Sequence, residues 1–206
     1  YHHTRLLQAT TTTKLDCDCT DLGKLVKDKS NKPLDVYYGL KAADACGCDK
    51  VKPLRSVEDD IEEHMNDADI WNFGGAALAA KAMNIPTPSA ADIVGRVTPL
   101  MQPSGLFRSA RGSLGSSNLC NTKLALLVLS EFADDSAGNE AVMDVISTVS
   151  AKLLADAENE KVTDPALVTY LHDITKENVN LEASGSGASA SQRLFAVTEA
   201  LVALKY

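Results

Sequence analysis

The sequence predicts an all-α fold, built as an α/α toroid or curved superhelix of degenerate helical pairs. Segments that are apolar almost all round alternate with amphipathic segments, and aromatic residues make up only 5% of the 206 residues. A helix that is apolar all round must be enclosed, whereas an amphipathic helix keeps one face in water. We therefore expect an inner layer of apolar helices and an outer layer of polar helices.

Four segments carry the apolar pattern of the inner layer. The clearest is 118–133, which follows a glycine- and serine-rich run at 105–117 that has to form a loop. The others are 34–47, 69–85 and 189–206. The spacing between successive segments grows from roughly 35 to about 50 and then about 70 residues, so the predicted repeat is degenerate.

Amphipathic helices are predicted after each of the first three inner segments. Pro53 is expected to open an acidic helix at 53–65, because proline fits the first helical turn. Asp164 and Pro165 are placed to cap and open a helix at 164–173. The two remaining helices are predicted at 88–101 and 139–157, the latter with a stripe of Val142, Val145, Ile146, Val149, Leu153 and Leu154.

Residues 1–32 are predicted to precede the helical-pair domain, which spans 33–206. A short helix is expected at 21–28, ended by the segment that leads to Pro33. Before it stands a run of four threonines, which are stiff at χ1 and disfavour helix: Thr10, Thr11, Thr12 and Thr13. We expect this run to form an interaction arm that either becomes ordered by contact with another chain or stays mobile.

The charge and the apolar runs restrict the partners. A net charge of −8 argues against nucleic acid and against an anionic membrane surface, although Arg108 and Arg111 are candidates for a local basic patch. No run reaches the roughly 18 apolar residues of a membrane span. The chain begins with tyrosine, which suggests that a signal peptide or an upstream segment has been removed.

Five cysteines indicate an oxidising compartment. Cys17 and Cys19 form one C-x-C pair, and Cys46 and Cys48 form a second. Disulfides between the two pairs are favoured over free thiols and over a metal site, because zinc ligands are usually two to four residues apart. Residues two apart rarely meet the geometry of a disulfide, so neither pair is expected to close on itself. The fifth, Cys120, is expected to be a free thiol packed in the core.

No constellation in the sequence requires catalysis. The carboxylates of 59–63 have a spacing that isoprenoid synthases use for magnesium and a diphosphate, but their helix is polar over most of its surface. His64 and His172 belong to no metal motif, and the loop serines belong to no nucleophile or phosphate motif. Neither a cofactor nor a metal is predicted. Asn118 begins only a weak form of the glycosylation acceptor.

Aromatic residues begin or precede the apolar helices and are candidates for the lining of a central cleft. Packing in the core is nevertheless the favoured reading of each of them. The six candidates are Tyr37, Tyr38, Trp71, Phe73, Phe107 and Phe195.

The succession of helices between 34 and 132 resembles the N-terminal luminal domain of ribophorin II, a subunit of the oligosaccharyltransferase of the endoplasmic reticulum. The resemblance is carried by 34–48 (LDVYYGLKAADACGC), 67–85 (DADIWNFGGAALAAKAMNI) and 116–132 (SSNLCNTKLALLVLSEF). It implies a non-catalytic luminal scaffold that supports N-glycosylation, with no catalytic residue to carry over. The family's β-domain and membrane helices have no counterpart here, which would make the chain a fragment or a different protein.

Three hypotheses about function follow. The favoured one is a helical scaffold that binds other protein subunits in the endoplasmic reticulum lumen or outside the cell. The second is a structural subunit of an extracellular assembly joined through the threonine arm. The third is a toroid enzyme acting on an isoprenoid or a glycan, which would need carboxylates converging on the cleft. Asp44, Asp69 and Glu131 are the candidates near the inner helices, and they are too scattered to favour it.

Overall fold

The computed structural model describes residues 17–28, 32–112, 117–133 and 139–158. These residues form helices and no named strand, which confirms the all-α prediction for this part of the chain. Seven α-helices and one 3₁₀ turn lie there: α1 (Cys19–Lys27), α2 (Pro33–Ala45), α3 (Arg55–His64), α4 (Ile70–Met83), α5 (Ala90–Val97), the turn Thr98–Leu100, α6 (Leu119–Phe132) and α7 (Asn139–Glu158). None of the described helices is both long and apolar enough to cross a membrane.

Side-chain caps fix where several helices begin. The Asp69 carboxylate accepts from the Trp71 amide at 2.8 Å, and the Asn118 side-chain oxygen accepts from the Asn121 amide at 2.8 Å. Each cap satisfies an amide that has no partner within its helix. At the other end of α4, Asn84 takes a left-handed conformation (φ 56°) and stops the helix.

The three apolar helices α2, α4 and α6 run parallel to one another. Gly75 lies against Leu34, and Lys41 and Lys81 meet at Glu131, so α2 and α4 are paired with an offset of about 40 residues.

Helices α4 and α6 are paired with a constant offset of 50 residues. Trp71 binds Asn121 near their N-terminal ends, and Lys81 binds Glu131 near their C-terminal ends. Since consecutive inner helices are parallel, α3 and α5 have to return the chain to the same end each time.

Helix α4 is the centre of the described core. Every residue from Phe73 to Ala80 is buried, and α4 contacts α2, α3, α5 and α6. Glycine makes the close approach possible. A methyl group on Gly75 would lie 3.1 Å from the Leu34 amide nitrogen, and one on Gly74 would lie 3.1 Å from Val128. The prediction that the apolar helices are enclosed is confirmed for α4.

Two expectations about helix ends are wrong. Helix α3 begins at Arg55, so Pro53 precedes the first turn instead of opening it; Leu54 is extended (ψ 157°) and stands at the cap position. The segment 88–101 is not one helix, because α5 ends at Val97 and the chain tightens into a 3₁₀ turn that contains Pro99. The predicted stripe of α7 is buried at Val142, Val145, Ile146 and Val149.

Some predictions lie outside the described residues. These are the threonine arm (Thr10, Thr11, Thr12 and Thr13), the helices at 164–173 and 189–206, His172 and Phe195. The division of the chain at residue 32 stays a prediction.

Candidate functional site

Two disulfides join the start of α1 to the end of α2. Cys17 is bonded to Cys46 and Cys19 to Cys48, with Cα–Cα distances of 5.8 and 5.7 Å. The readings of these cysteines as free thiols or as a metal site therefore do not apply. Further along, Val26 of α1 lies 2.9 Å from the position that a Gly39 Cβ would take, so α1 packs antiparallel along α2.

A groove of about 950 Å³ lies beside the two disulfides. It is bordered by both helix-end segments and by three lysines, Lys24, Lys27 and Lys50. The Lys24 ammonium pairs with Asp21 at 3.0 Å, and this hydrogen bond raises the pKa of Lys24. Charged side chains thus border a groove between helix ends that are joined by disulfides.

Cys120 is free, but it is exposed, and the prediction of a packed thiol is wrong. It lies in the first turn of α6 on the side that faces water. Its neighbours Asn121 and Thr122 take the inward positions and are 6% and 0% exposed. The Thr122 hydroxyl accepts from the Phe107 amide at 2.9 Å, which ties the loop before α6 to this helix.

The acidic helix α3 is a solvated outer helix. Only Val57 and Ile61 are buried on it, and the exposed Arg55 pairs with Asp59 at 3.2 Å. The described residues contain no group of three or more histidine, cysteine or carboxylate side chains able to hold a metal ion. The carboxylates of 59–63 therefore lie on the face of α3 that is turned to water.

His64 ends α3 between two carboxylates. Its Nδ1 lies 2.9 Å from Asp67 and its Nε2 lies 3.6 Å from Asp60. The hydrogen bond to Asp67 is the main cause that raises the pKa of His64. This arrangement stabilises the turn between α3 and α4 when the imidazole is protonated.

The predicted cleft-lining aromatics do not form one lining among the described residues. Phe107 and Phe73 are 0% and 2% exposed and belong to the core. Tyr38 and Trp71 are at the surface, 52% and 38% exposed. Tyr37 is buried and packs its ring 5.4 Å from that of Tyr38. Phe107 packs in the core, the favoured reading of these aromatics, whereas the buried Phe73 also lines a second cavity.

Glu131 of α6 contacts side chains of both other parallel helices, α2 and α4. Its carboxylate accepts the Tyr37 hydroxyl at 3.1 Å and lies 3.8 and 3.6 Å from the ammonium groups of Lys41 and Lys81. Lys81 also donates to the Glu131 carbonyl oxygen and lies over the ring of Phe132. Burial, followed by the charge of Glu131, raises the pKa of Tyr37.

The carboxylates near the inner helices do not converge. Asp69 caps the start of α4, whereas Glu131 lies at the far end of the parallel α6. By the offset of 50 residues Asp69 is level with residue 119, so twelve residues of helix separate it from Glu131, or about 18 Å at a rise of 1.5 Å per residue. Asp44 is exposed near the end of α2. The enzyme hypothesis thus lacks, in the described residues, the arrangement it needs.

The profile of the family described as Ribophorin II N-terminal domain matches residues 1–163. The chain belongs to the ribophorin II family. The matched range contains every described helix, so the family assignment and the fold refer to the same residues. No curated protein and no solved structure matches the chain.

Membership in the ribophorin II family suggests that the chain is a subunit of a protein complex, with a role related to the oligosaccharyltransferase. The family and the two disulfides agree on a secretory location such as the lumen of the endoplasmic reticulum.

The sequence did not reveal Arg96 as a structural residue of this ribophorin II domain. Arg96 donates to the carbonyl oxygens of Met65 and Asp67 and stacks 4.1 Å from the ring centre of Phe73. The one available signal was an arginine on the same helix as the buried Ile93 and Val97.

Proposed function

We propose that this chain is a non-catalytic luminal scaffold of an oligosaccharyltransferase subunit, which supports N-glycosylation by holding other subunits in place. The match of residues 1–163 to the ribophorin II N-terminal domain carries the proposal. The finer architecture belongs to the same proposal: the helical pairs continue as a toroid or curved superhelix, and the threonine arm contacts neighbouring subunits.

The geometry of the described residues supports a scaffold. Glu131 ties α2, α4 and α6 together, and two disulfides tie α1 to α2. Such cross-links hold the surfaces of the helices in fixed relative positions, which favours binding because little conformational freedom is left to lose.

The test compares glycosylation with and without the chain. Cells depleted of their own ribophorin II-type subunit are supplied with the tagged chain, and the occupancy of acceptor sites on a secreted reporter is measured by mass spectrometry. The chain is expected to raise occupancy towards the undepleted level. An occupancy that stays at the depleted level contradicts the proposal.

Acid-to-amide variants distinguish a scaffold from an enzyme. Asp60→Asn and Glu62→Gln remove carboxylates of the solvated α3, and Glu131→Gln removes the charge at the junction of the inner helices. Because a scaffold performs no proton transfer, all three are expected to support occupancy in proportion to the amount of folded chain. A loss of a hundredfold or more at normal chain levels would indicate general acid–base catalysis instead.

A further inference from the structure

A second cavity shares no lining residue with the groove beside the disulfides. It has a volume of about 470 Å³, within the range of ligand pockets. Its walls come from the α3–α4 turn, the start of α4, helix α5, the 3₁₀ turn and the loop that follows. The lining residues are Ala68, Phe73, Ala91, Asp92, Gly95, Arg96, Leu100 and Arg111.

Arg96 is held rigidly in the wall of this cavity. One terminal nitrogen donates to the Met65 carbonyl at 2.8 Å and the other donates to the Asp67 carbonyl at 2.7 Å. The guanidinium also lies 4.1 Å from the ring centre of Phe73. Because a guanidinium has five N–H donors, these two bonds leave others for a ligand.

The cavity carries more positive than negative charge. Arg96 and Arg111 line it together with one carboxylate, Asp92. Within the part of the chain that the structure describes, neither arginine has an ion-pair partner within 4.0 Å. On a chain of net charge −8, two arginines that line one cavity and form no ion pair with a described carboxylate are complementary to an acidic ligand.

Gly95 leaves room on the same wall. Glycine inside a helix costs about 1 kcal/mol relative to alanine. At Gly39, Gly74 and Gly75 the structure supplies a reason, because an added Cβ would lie 2.9 to 3.1 Å from a neighbouring residue. At Gly95 an added Cβ would meet nothing within 4 Å. The backbone of α5 is therefore open to the close approach of another molecule.

We infer that this cavity, which we call the arginine cavity, binds an acidic peptide segment of a partner protein. A carboxylate of the segment pairs with Arg96 and Arg111, and its backbone lies against Gly95 and Ala91. The inference adds a binding site to the proposed scaffold function, and it rests on that function for the claim that the bound segment belongs to a partner protein. Its chemistry is the charge-assisted pairing of arginine with carboxylate.

Direct binding tests the inference on the purified chain. The probe is fluorescein-labelled hexaglutamate, with labelled hexaglutamine as the neutral reference, measured by fluorescence anisotropy at low salt. Hexaglutamate is expected to bind more tightly than hexaglutamine, and Arg111→Glu is expected to weaken it at least tenfold. Lys52→Glu makes the same change of net charge at an exposed site outside the cavity and should have a much smaller effect.

Filling the cavity provides the second variant. Gly95→Trp is expected to abolish binding while the chain remains folded, because its Cβ has open space. Gly23→Trp is the matched control, because Gly23 is also a helical glycine at which an added Cβ would meet nothing within 4 Å. Gly23 lines the groove beside the disulfides and not the arginine cavity. Absence of hexaglutamate binding, or equal binding by Gly95→Trp and Gly23→Trp, overturns the inference.

Copurification separates this inference from the proposed function. If the wild-type chain recovers oligosaccharyltransferase subunits and Gly95→Trp recovers them equally, the scaffold stands and the arginine cavity is not its contact. If the wild-type chain recovers none, the proposed function fails, whereas hexaglutamate binding still decides the chemistry of the cavity. A photocrosslinker at Ala91 that labels only the chain itself also overturns the inference.

Discussion

The two disulfides should stabilise the domain in a non-additive way. Cys17–Cys46 and Cys19–Cys48 each join residues 29 apart, and they lie side by side. Either disulfide alone closes almost the same loop of the unfolded chain. When one is already formed, the other closes only the two short segments between the members of each C-x-C pair.

The magnitude follows from the loop lengths. Closing a loop of about 29 residues stabilises the folded state by about 3.6 kcal/mol at 25 °C in the chain-entropy description. A second link that closes about four further residues adds roughly 1.9 kcal/mol by the same expression. Removing either disulfide alone should therefore cost about 2 kcal/mol, and removing both should cost about 5.5 kcal/mol.

The assay is urea unfolding followed by far-ultraviolet circular dichroism. The variants are Cys17→Ala with Cys46→Ala, Cys19→Ala with Cys48→Ala, and all four together, with Cys120→Ala as the control. The control should change the free energy of unfolding by less than about 0.5 kcal/mol, because Cys120 is exposed and unpaired. If the two single removals are additive, or if removing both costs no more than removing one, the shared-loop reasoning is refuted.

Three further predictions concern the core, the polar junction and pH. Gly75→Ala should destabilise the chain, because the new methyl would lie 3.1 Å from a backbone nitrogen. Gly95→Ala should instead stabilise the chain by about 1 kcal/mol. If urea unfolding shows that both variants change the free energy of unfolding in the same direction, the prediction is contradicted. Tyr37→Phe should cost about 1 kcal/mol by removing one donor to Glu131, and an unchanged unfolding midpoint would show that the bond contributes nothing. Because the pKa of His64 is raised in the folded chain, its contribution to stability is full below the unfolded pKa of about 6.5 and is lost as pH rises through the folded pKa. His64→Gln should therefore destabilise the chain at pH 5.5 and have little effect at pH 8.5. Thermal unfolding that shows the reverse order would contradict the sign of this effect.

Helix positions could be predicted where local chemistry decides them. Asn118 marked the start of the most apolar segment, and α6 begins one residue later with the Asn118 side chain as its cap. The tie between the two C-x-C pairs followed from their spacing and from the geometry that a disulfide needs. Pro53 misled because the extended Leu54 separates the proline from the first residue of the helix. A residue's preference for the first turn does not fix where the turn occurs.

The parts that could not be predicted depend on contacts between distant residues. Whether an aromatic residue lines a cleft or fills the core depends on which neighbour faces it, and nothing in the local sequence of Phe107 states that it is wholly buried. Likewise, the pattern of 118–133 placed Cys120 on an apolar helix but did not say which side of its first turn faces water. The stacking of Arg96 on Phe73 joins α5 to α4 and has no local signal.

The central claim is that this ribophorin II-family chain works as a structural subunit of an oligosaccharyltransferase. The most direct measurement is native purification of the tagged chain from detergent-solubilised endoplasmic reticulum, with quantitative mass spectrometry of everything that copurifies. The account predicts oligosaccharyltransferase subunits in amounts comparable with the chain itself, unchanged in the Glu62→Gln variant. Recovery of the folded chain without any of these subunits would contradict the account.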